Sequence, residues 1–114
     1  MLRIYHNPHC RKSRAGLQYL RDKNLPLEVI DYLKKPITIK ELEKLLIKLN
    51  IKPVELVRTR EELYRKHLKG KNFSDYEWIR IILENPRLLH RPIVENQYRA
   101  VIGDPVENID VLIK

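Results

Sequence analysis

In the first third of the chain, the spacing of hydrophobic residues changes from that of a strand to that of a helix and back again. Residues 2–5 form a short apolar run with β character, and residues 27–32 form a second one with β-branched residues near its centre. Between the runs, Leu17 and Leu20 give an apolar face at helical spacing over residues 11–23. Strand, helix and strand within about thirty residues predict a βαβ unit, and hence a parallel pair of strands.

The middle of the chain is patterned as helices. Three segments begin like a capping box, in which Ser or Thr is followed three residues later by Glu. These pairs are Thr38 with Glu41, Thr59 with Glu62 and Ser74 with Glu77. The first pair precedes a leucine stripe at helical spacing, Leu42, Leu45, Leu46 and Leu49. The second predicts a short helix over residues 61–68, and residues 53–57 predict one more helical turn. The third precedes a helix that carries Trp78, Ile81 and Ile82 and ends near residues 85–86.

The last third of the chain returns to strands. Residues 92–95 and 99–102 predict two strands that a short polar connection joins into an antiparallel hairpin. Asp104 and Pro105 then have the pattern of a helix start, with the aspartate as cap and the proline at the first helical position. This final helix has an apolar face formed by Val106, Ile109, Leu112 and Ile113.

The order of elements is βαβ, a helical block and ββα. It predicts an α/β, thioredoxin-like fold in which the two halves share a four-stranded mixed sheet. A chain of 114 residues fits one domain, so we expect a single domain over residues 1–114 with a helical insertion at about residues 36–88. In that fold, Cys10 lies between the first strand and the first helix, where a thiol faces the helix N-terminus.

Composition and charge narrow the class of protein. With 43% hydrophobic and 33% charged residues, the chain is neither disordered nor membrane-like. No apolar run approaches the roughly 18 residues of a membrane helix, and no signal peptide opens the chain, so we expect a cytoplasmic protein and, by default, a monomer. The net charge of +8 favours anionic partners. Nucleic acid is a poor candidate, because the basic residues 58–71 hold few aromatics and include Glu61 and Glu62.

Cys10 is the only cysteine, which excludes an internal disulfide and any multi-cysteine zinc site. Its neighbours are cationic or can become so: His6, His9, Arg11, Lys12 and Arg14. These charges and a helix N-terminus both stabilise a thiolate, the reactive form of cysteine, and suit the same loop to an oxyanion. A buried, inert cysteine is the alternative, although such a residue more often lies in an apolar run. The spacing of His6, His9 and Cys10 matches zinc ligands poorly.

Two further features bear on the chemistry of Cys10. His6 is placed to tune the thiolate and Ser13 to donate a hydrogen bond to it, unless they are an ordinary loop residue and an ordinary first-turn residue. The pattern from Cys10 to Ser13 is C-x-x-S, so any redox cycle needs an external thiol such as glutathione or a partner protein. In thioredoxin-like folds a cis proline faces the active cysteine. Arg91 and Pro92 fit that place, unless they are a solvated arginine and an ordinary strand-starting proline.

These residues resemble the glutaredoxin-coupled arsenate reductases. Residues 4–14, I-Y-H-N-P-H-C-R-K-S-R, are similar to the family signature Y-H-N-P-x-C-x-x-S-R. Residues 89–94, L-H-R-P-I-V, are similar to the family's R-P-I-V segment, and Arg58 stands where the family has an arginine after a helical turn. Residues 103–105 align with the stretch before the last helix. The resemblance covers essentially the whole chain.

The resemblance implies an enzyme, an arsenate reductase, with no bound cofactor or metal. The Cys10 thiolate attacks arsenic(V) and expels water, while Arg58, Arg91 and backbone amides hold the oxyanion. Glutathione, the external reductant, forms a mixed thiol–arsenic adduct, glutaredoxin assists the reduction, and arsenite leaves. Residues of the signature loop complete the implied site, with His6 and Ser13 supporting the thiolate and Asn7 and Arg14 binding substrate.

The chain departs from the family at Asp104, where dedicated reductases carry a third arginine. A carboxylate there repels an anionic intermediate unless it turns away as a helix cap, and Arg99 on the neighbouring strand is the candidate to compensate. Two alternatives stay open. One is an Spx-like regulator, which binds the RNA polymerase α subunit, although most such regulators carry C-x-x-C where this chain has Ser13. The other is a glutathione-linked thiol redox protein without arsenate activity.

Overall fold

The computed structural model describes residues 1–113. Contacts divide the chain into two compact units, one formed by Met1–Lys35 with the segment that begins at Arg91, the other by Pro36–His90. The second unit contains the helical block that the sequence predicts as an insertion. Among the described residues, no helix combines the length and the apolar character needed to cross a bilayer.

The first unit is built on a four-stranded mixed sheet. Its strands are β1 (Leu2–His6), β2 (Leu27–Asp31), β3 (Ile93–Glu95) and β4 (Ala100–Ile102). They lie in the order β2-β1-β3-β4, with β1 and β2 parallel and the other two pairs antiparallel. This topology confirms the predicted thioredoxin-like sheet, in which a βαβ half and a ββ half share one surface.

Helix α1 (Arg11–Asp22) packs its apolar side on this sheet. The core of the first unit consists of Leu2, Ile4, Leu17, Leu20, Val94, Ile109 and Leu112, all buried. Leu17 and Leu20 are the two positions that the helical spacing selects. Because the core joins residues from both ends of the chain, it fixes the start of α1 relative to β1 and β3.

The final segment is helical, but the predicted cap is wrong. Residues Val106–Leu112 form a 3₁₀ helix whose N-cap is Pro105, without a side-chain capping bond. The carboxylate of Asp104 instead pairs with the ammonium of Lys12 at 3.0 Å. An aspartate cap normally accepts a backbone N–H of its own helix, and here that acceptor is engaged by a cation from α1.

The second unit holds the predicted helices. They are α2 (Ile39–Leu49), a 3₁₀ turn (Pro53–Leu56), a π-helical turn (Tyr64–Leu68), α3 (Asp75–Glu84) and a second 3₁₀ turn (Pro86–Leu88). The capping boxes of Thr38 and Ser74 are both present, each with its reciprocal pair of hydrogen bonds. On α3, Ile79 joins Trp78 and Ile82 in the buried set, whereas Ile81 is half-buried.

The third predicted capping box, at Thr59, is wrong. Helical structure begins only after Glu61, and the turn over Tyr64–Leu68 is of π type, closed by a bond from the Lys69 N–H to the Tyr64 carbonyl at 2.8 Å. Glu62 forms an ion pair with Lys66 one turn later. Its carboxylate is therefore engaged along the helix rather than with the backbone of residue 59.

Candidate active site

Cys10 is the N-cap residue of α1 and has extended backbone geometry. The loop that carries it closes tightly, because the Cys10 N–H donates to the Asn7 carbonyl at 3.1 Å. The Cys10 carbonyl then accepts the Arg14 N–H at 3.0 Å, which begins the helix. The thiol is partly exposed. The strand β1 and the helix α1, both anchored in the core, thus hold the cysteine at the positive end of a twelve-residue helix.

The surroundings of the thiol favour its ionised form. Partial burial raises the pKa of Cys10, but hydrogen bonds from the Ser13 backbone N–H, the Arg91 side chain and the Lys12 backbone N–H lower it more, and the charge of Arg91 adds to them. The net effect is a pKa below that of an ordinary thiol. A thiolate is the nucleophilic form of cysteine, so at a given pH this thiol is better suited to attack an electrophile than an ordinary cysteine is.

His6 and Ser13 form a buried polar pair between the end of β1 and the first turn of α1. The Ser13 hydroxyl lies 2.7 Å from Nδ1 of His6 and accepts the Asn7 N–H at 2.9 Å. Burial lowers the pKa of His6, the charges of Arg21 and Arg14 lower it further, and these outweigh the opposing carboxylate of Asp31. The ring is therefore neutral near pH 7, so His6 positions Ser13 but adds no positive charge. Ser13 reaches the thiol through its backbone N–H.

Asn7 and Arg14 use their side chains to hold the loop in this structure. The Asn7 side-chain carbonyl accepts the His9 N–H at 3.0 Å. The Arg14 guanidinium donates to the Pro8 carbonyl at 2.9 Å. Both residues were predicted to bind substrate. Asn7 is buried and Arg14 is exposed. The guanidinium of Arg14 is therefore open to solvent, whereas the amide of Asn7 is not.

Arg91 reaches the site because Pro92 is held in a tight slot. The Arg91–Pro92 peptide bond is cis, as the thioredoxin-like fold leads one to expect. A Cβ atom built on Gly16 would lie 2.6 Å from Cγ of Pro92, and one built on Gly103 would lie 3.1 Å from the same atom. The proline ring thus packs against two backbones that carry no side chain. This packing fixes Arg91, whose guanidinium hydrogen-bonds to the thiol.

Arg58 belongs to the second unit. Its backbone N–H donates to the Leu88 carbonyl, beside an isolated β-bridge between Val57 and Leu89. Its guanidinium is ion-paired with Glu61 one turn later. The segment that presents Arg58 is therefore fixed within its own unit, and its charge is offset by a carboxylate.

Asp104, which stands where the family has a third arginine, and Arg99, the candidate to compensate for it, lie in different parts of the structure. Asp104 pairs with Lys12 in the first turn of α1, two residues after Cys10. Arg99 precedes β4 at the end of the sheet where β1 begins, since Ala100 pairs with Glu95 and Glu95 with Arg3. Cys10 follows the other end of β1. A strand of this length spans roughly 15 Å, so Arg99 does not compensate for Asp104.

Comparison with known proteins agrees with this geometry. The ArsC family model matches residues 5–112. The chain belongs to the ArsC family. A protein of Neisseria meningitidis serogroup A named arsenate reductase is 35% identical to this ArsC-family chain, over 98% of the chain and 97% of the relative. An arsenate reductase of Haemophilus influenzae is 40% identical over 93% of each.

A solved structure matches the fold of this ArsC-family chain closely. The arsenate reductase from Vibrio cholerae superposes with a TM-score of 0.90 at 34% identity. The match covers 97% of this chain and 96% of the other. The thioredoxin-like arrangement of sheet and helices is therefore the arrangement of the family.

Three features of the site in this ArsC-family chain go beyond the sequence prediction. The backbone N–H of Lys12 bonds to the thiol, its ammonium pairs with Asp104, and Gly16 and Gly103 flank Pro92. Of these three features, only the close packing at Gly16 was indicated by the sequence. A lone glycine inside a helical pattern lowers helix stability and usually has a packing reason, as Gly16 does. The pairing of Lys12 with Asp104 joins residues far apart in sequence, and local pattern does not reveal it.

Replacing Arg91 with alanine is expected to raise the pKa of Cys10, because it removes both a hydrogen bond and a positive charge from the thiolate. The pH profile of alkylation by iodoacetamide then moves to higher pH, and the rate at pH 7 falls by about threefold to tenfold. The profile is obtained from the rates of alkylation measured at a series of pH values between 5 and 10. Arg91→Lys keeps the charge and is expected to shift the profile less. An unshifted profile in Arg91→Ala would contradict the role assigned to Arg91.

Proposed function

We propose that this chain is an arsenate reductase that uses the Cys10 thiolate as nucleophile, glutathione as external reductant and glutaredoxin as partner. The observation that carries the proposal is the thiol at the N-cap of α1. Its pKa is lowered, despite burial, by hydrogen bonds from Ser13, Arg91 and Lys12. Relatives of nearly equal length that bear the name arsenate reductase support the choice of substrate.

The proposed reaction begins at the arsenic atom. The Cys10 thiolate attacks arsenic(V), so that a sulfur–arsenic bond forms and one arsenate oxygen leaves as water after taking up protons. Glutathione then displaces a second oxygen, again as water, and the arsenic carries two sulfurs. Arsenic is still in the +5 state at this point, because each step so far exchanges oxygen for sulfur.

Reduction requires a second external thiol. The glutaredoxin thiolate attacks the glutathione sulfur, and the electron pair of the sulfur–arsenic bond passes to arsenic, which becomes arsenic(III). The two external thiols leave as a glutathione–glutaredoxin mixed disulfide. Water then cleaves the bond between Cys10 and arsenic, which releases arsenite and restores the thiol. A chain with one cysteine cannot form this disulfide internally, so the scheme fits its composition.

The oxyanion is held by groups around the thiol in this proposal. Arg91 and the N–H groups at the start of α1 point at the place where the charge develops. His6 and Ser13 keep that turn in shape, and Asn7 and Arg14 complete the loop. The part assigned to Arg58 comes from the family resemblance alone.

Two further features of the proposal concern the setting of the protein. Glutathione is kept reduced in the cytosol, so we propose a cytoplasmic location. We also propose that the chain acts as a single domain and as a monomer. Its partners are then the oxyanion, glutathione and glutaredoxin, and neither a membrane nor a nucleic acid is required.

The test is arsenite production. Purified protein is incubated with arsenate, glutathione, glutaredoxin and a system that regenerates reduced glutathione, and arsenite is quantified. We expect arsenite to accumulate above the protein-free control and to depend on both glutathione and glutaredoxin. A reaction mixture without glutaredoxin isolates its contribution. No arsenite in the complete mixture, with a thiol that still reacts with iodoacetamide, would contradict the proposal.

One observation favours a second candidate, a glutathione-linked redox protein without arsenate activity. The Asp104 carboxylate lies against the first turn of α1, where it disfavours a multiply charged anion. Such a protein acts on mixed disulfides of glutathione, so a glutathionylated peptide offered in the same assay separates the candidates. Turnover of the peptide without turnover of arsenate identifies the second.

A further inference from the structure

A salt bridge holds the first turn of α1, the helix whose N-cap residue is Cys10. Lys12 is the second residue of α1, and its backbone N–H bonds to the Cys10 thiol. Its ammonium is 3.0 Å from a carboxylate oxygen of Asp104, and the two side chains are 45% and 40% exposed. Both charges are therefore partly open to solvent, and they lie at the end of α1 that begins with the thiol.

The position of Asp104 is set by the hairpin before it and by a side chain of the helix after it. The Gly103 N–H donates to the Pro92 carbonyl at 2.8 Å, which ties the preceding residue to the slot of Pro92. The side chain of Asn108 holds the Ile102 carbonyl at 3.0 Å from the other side. The carboxylate is thus presented to α1 by the same packing that presents Arg91.

The pair changes the charge met by an incoming molecule. No acidic residue precedes Asp22 in the sequence, so the cysteine loop and the first turns of α1 contain only neutral and basic residues. Asp104 supplies a negative charge from a distant part of the chain, and it offsets the cation at the second position of the helix. A multiply charged anion consequently gains less there than the basic sequence indicates.

We propose that the Lys12–Asp104 pair sets the charge selectivity of Cys10, favouring electrophiles that carry little negative charge over those that carry more. Asp104 is the specificity-determining residue, and Lys12 is the cation that it offsets. The inference rests on the proposed function, because it takes Cys10 as the reacting group. Applied to arsenate, it means that the singly charged form reacts in preference to the doubly charged form.

Two alkylating probes of similar size test this selectivity without arsenate. In both reactions the Cys10 thiolate forms a sulfur–carbon bond and iodide leaves, but iodoacetate is an anion and iodoacetamide is neutral. Asp104→Asn is expected to raise the ratio of the iodoacetate rate to the iodoacetamide rate by about threefold or more, as removal of one nearby charge implies. The iodoacetamide rate itself is expected to change by less than about twofold, because the groups that ionise the thiol stay in place.

Two other variants distinguish an effect of the Lys12–Asp104 pair from an effect of the overall surface charge. Glu107→Gln removes one negative charge from the exposed surface of the same segment, and the ratio is expected to stay at the wild-type value. Lys12→Met keeps the backbone N–H but leaves Asp104 without its cation, so the ratio is expected to fall below that of the wild type. An unchanged ratio in Asp104→Asn, or an equal rise in Glu107→Gln, would overturn the proposal.

The outcome is independent of the assay for arsenite. If wild-type Cys10 reacts with both probes but no arsenite forms, the proposed function fails and the selectivity test still gives its answer. If Cys10 reacts with neither probe near neutral pH, both proposals fail together. Adding salt to 0.5 M is expected to narrow the difference between wild type and Asp104→Asn, since exposed charges are screened.

Discussion

Replacing Cys10 with serine is expected to abolish arsenite production while leaving the chain at least as stable as the wild type. A serine hydroxyl does not ionise near neutral pH and forms no lasting bond to arsenic, so the activity falls to that of the protein-free control. Serine is nevertheless one of the most favourable N-cap residues, because its hydroxyl accepts a backbone N–H of the first helical turn. The free energy of unfolding should therefore stay the same or rise by up to about 1 kcal/mol. The arsenite assay and a urea titration measure the two quantities.

A substitution at another helix cap gives the opposite result and serves as the control. The Ser74 hydroxyl accepts the Glu77 N–H at the start of α3. Ser74→Ala is expected to lower the free energy of unfolding by about 1 kcal/mol and to leave the rate of arsenite production unchanged. Arsenite production by Cys10→Ser at more than background level would contradict the role of Cys10 as nucleophile. Activity lost equally in both variants would point to general instability instead.

The fold was predictable because its determinants are local. Residues 2–5 and 27–32 have β character, Leu17 and Leu20 have helical spacing, and the capping boxes of Thr38 and Ser74 mark helix starts. In each case the signal lies within a few residues and the packed structure agrees with it. The order βαβ, helices and ββ then leaves few topologies, since a crossover between parallel strands is right-handed.

The errors in the fold have a common physical cause, competition for a side chain. Glu62 matches a capping box with Thr59, but Lys66 is one turn away and forms an ion pair with it. Asp104 matches a helix cap, but Lys12 of another helix takes its carboxylate. A capping pattern states which bonds are possible, and the partners that the folded chain brings near decide which ones form.

The site was predictable in its composition and not in its detailed contacts. Cys10 in a basic loop indicates a reactive thiol, and Arg91 before Pro92 indicates a second contact from the distant half of the chain. The sequence does not show that burial leaves His6 neutral, nor that Ser13 bonds to the thiol through its backbone. These facts depend on solvent access and on the direction of single N–H groups, which only the packed loop determines.

Replacing Gly16 with alanine is expected to destabilise the chain, although alanine is the better helix former. Helix propensity alone predicts a gain of about 1 kcal/mol for this change in α1. The new Cβ would lie 2.6 Å from Cγ of Pro92, far inside van der Waals contact, and the ring is also confined by Gly103. Since the ring cannot move away freely, we expect a net loss of about 1–3 kcal/mol in the free energy of unfolding. Displacement of Pro92 also moves Arg91 off the thiol, so the iodoacetamide rate at pH 7 should fall.

Two comparisons separate the clash from an effect of the helix itself. Ala15 is the exposed neighbour of Gly16, and Ala15→Gly is expected to lower stability by about 1 kcal/mol without changing the reactivity of Cys10, because it touches no part of the slot. Combining Gly16→Ala with Pro92→Ala removes most of the ring that the new methyl group meets. The double variant should then lose less stability than the two single losses added together. A Gly16→Ala protein that is more stable than the wild type would contradict this expectation. It would show that helix propensity dominates at this position and that the Pro92 ring can move away from the new methyl group.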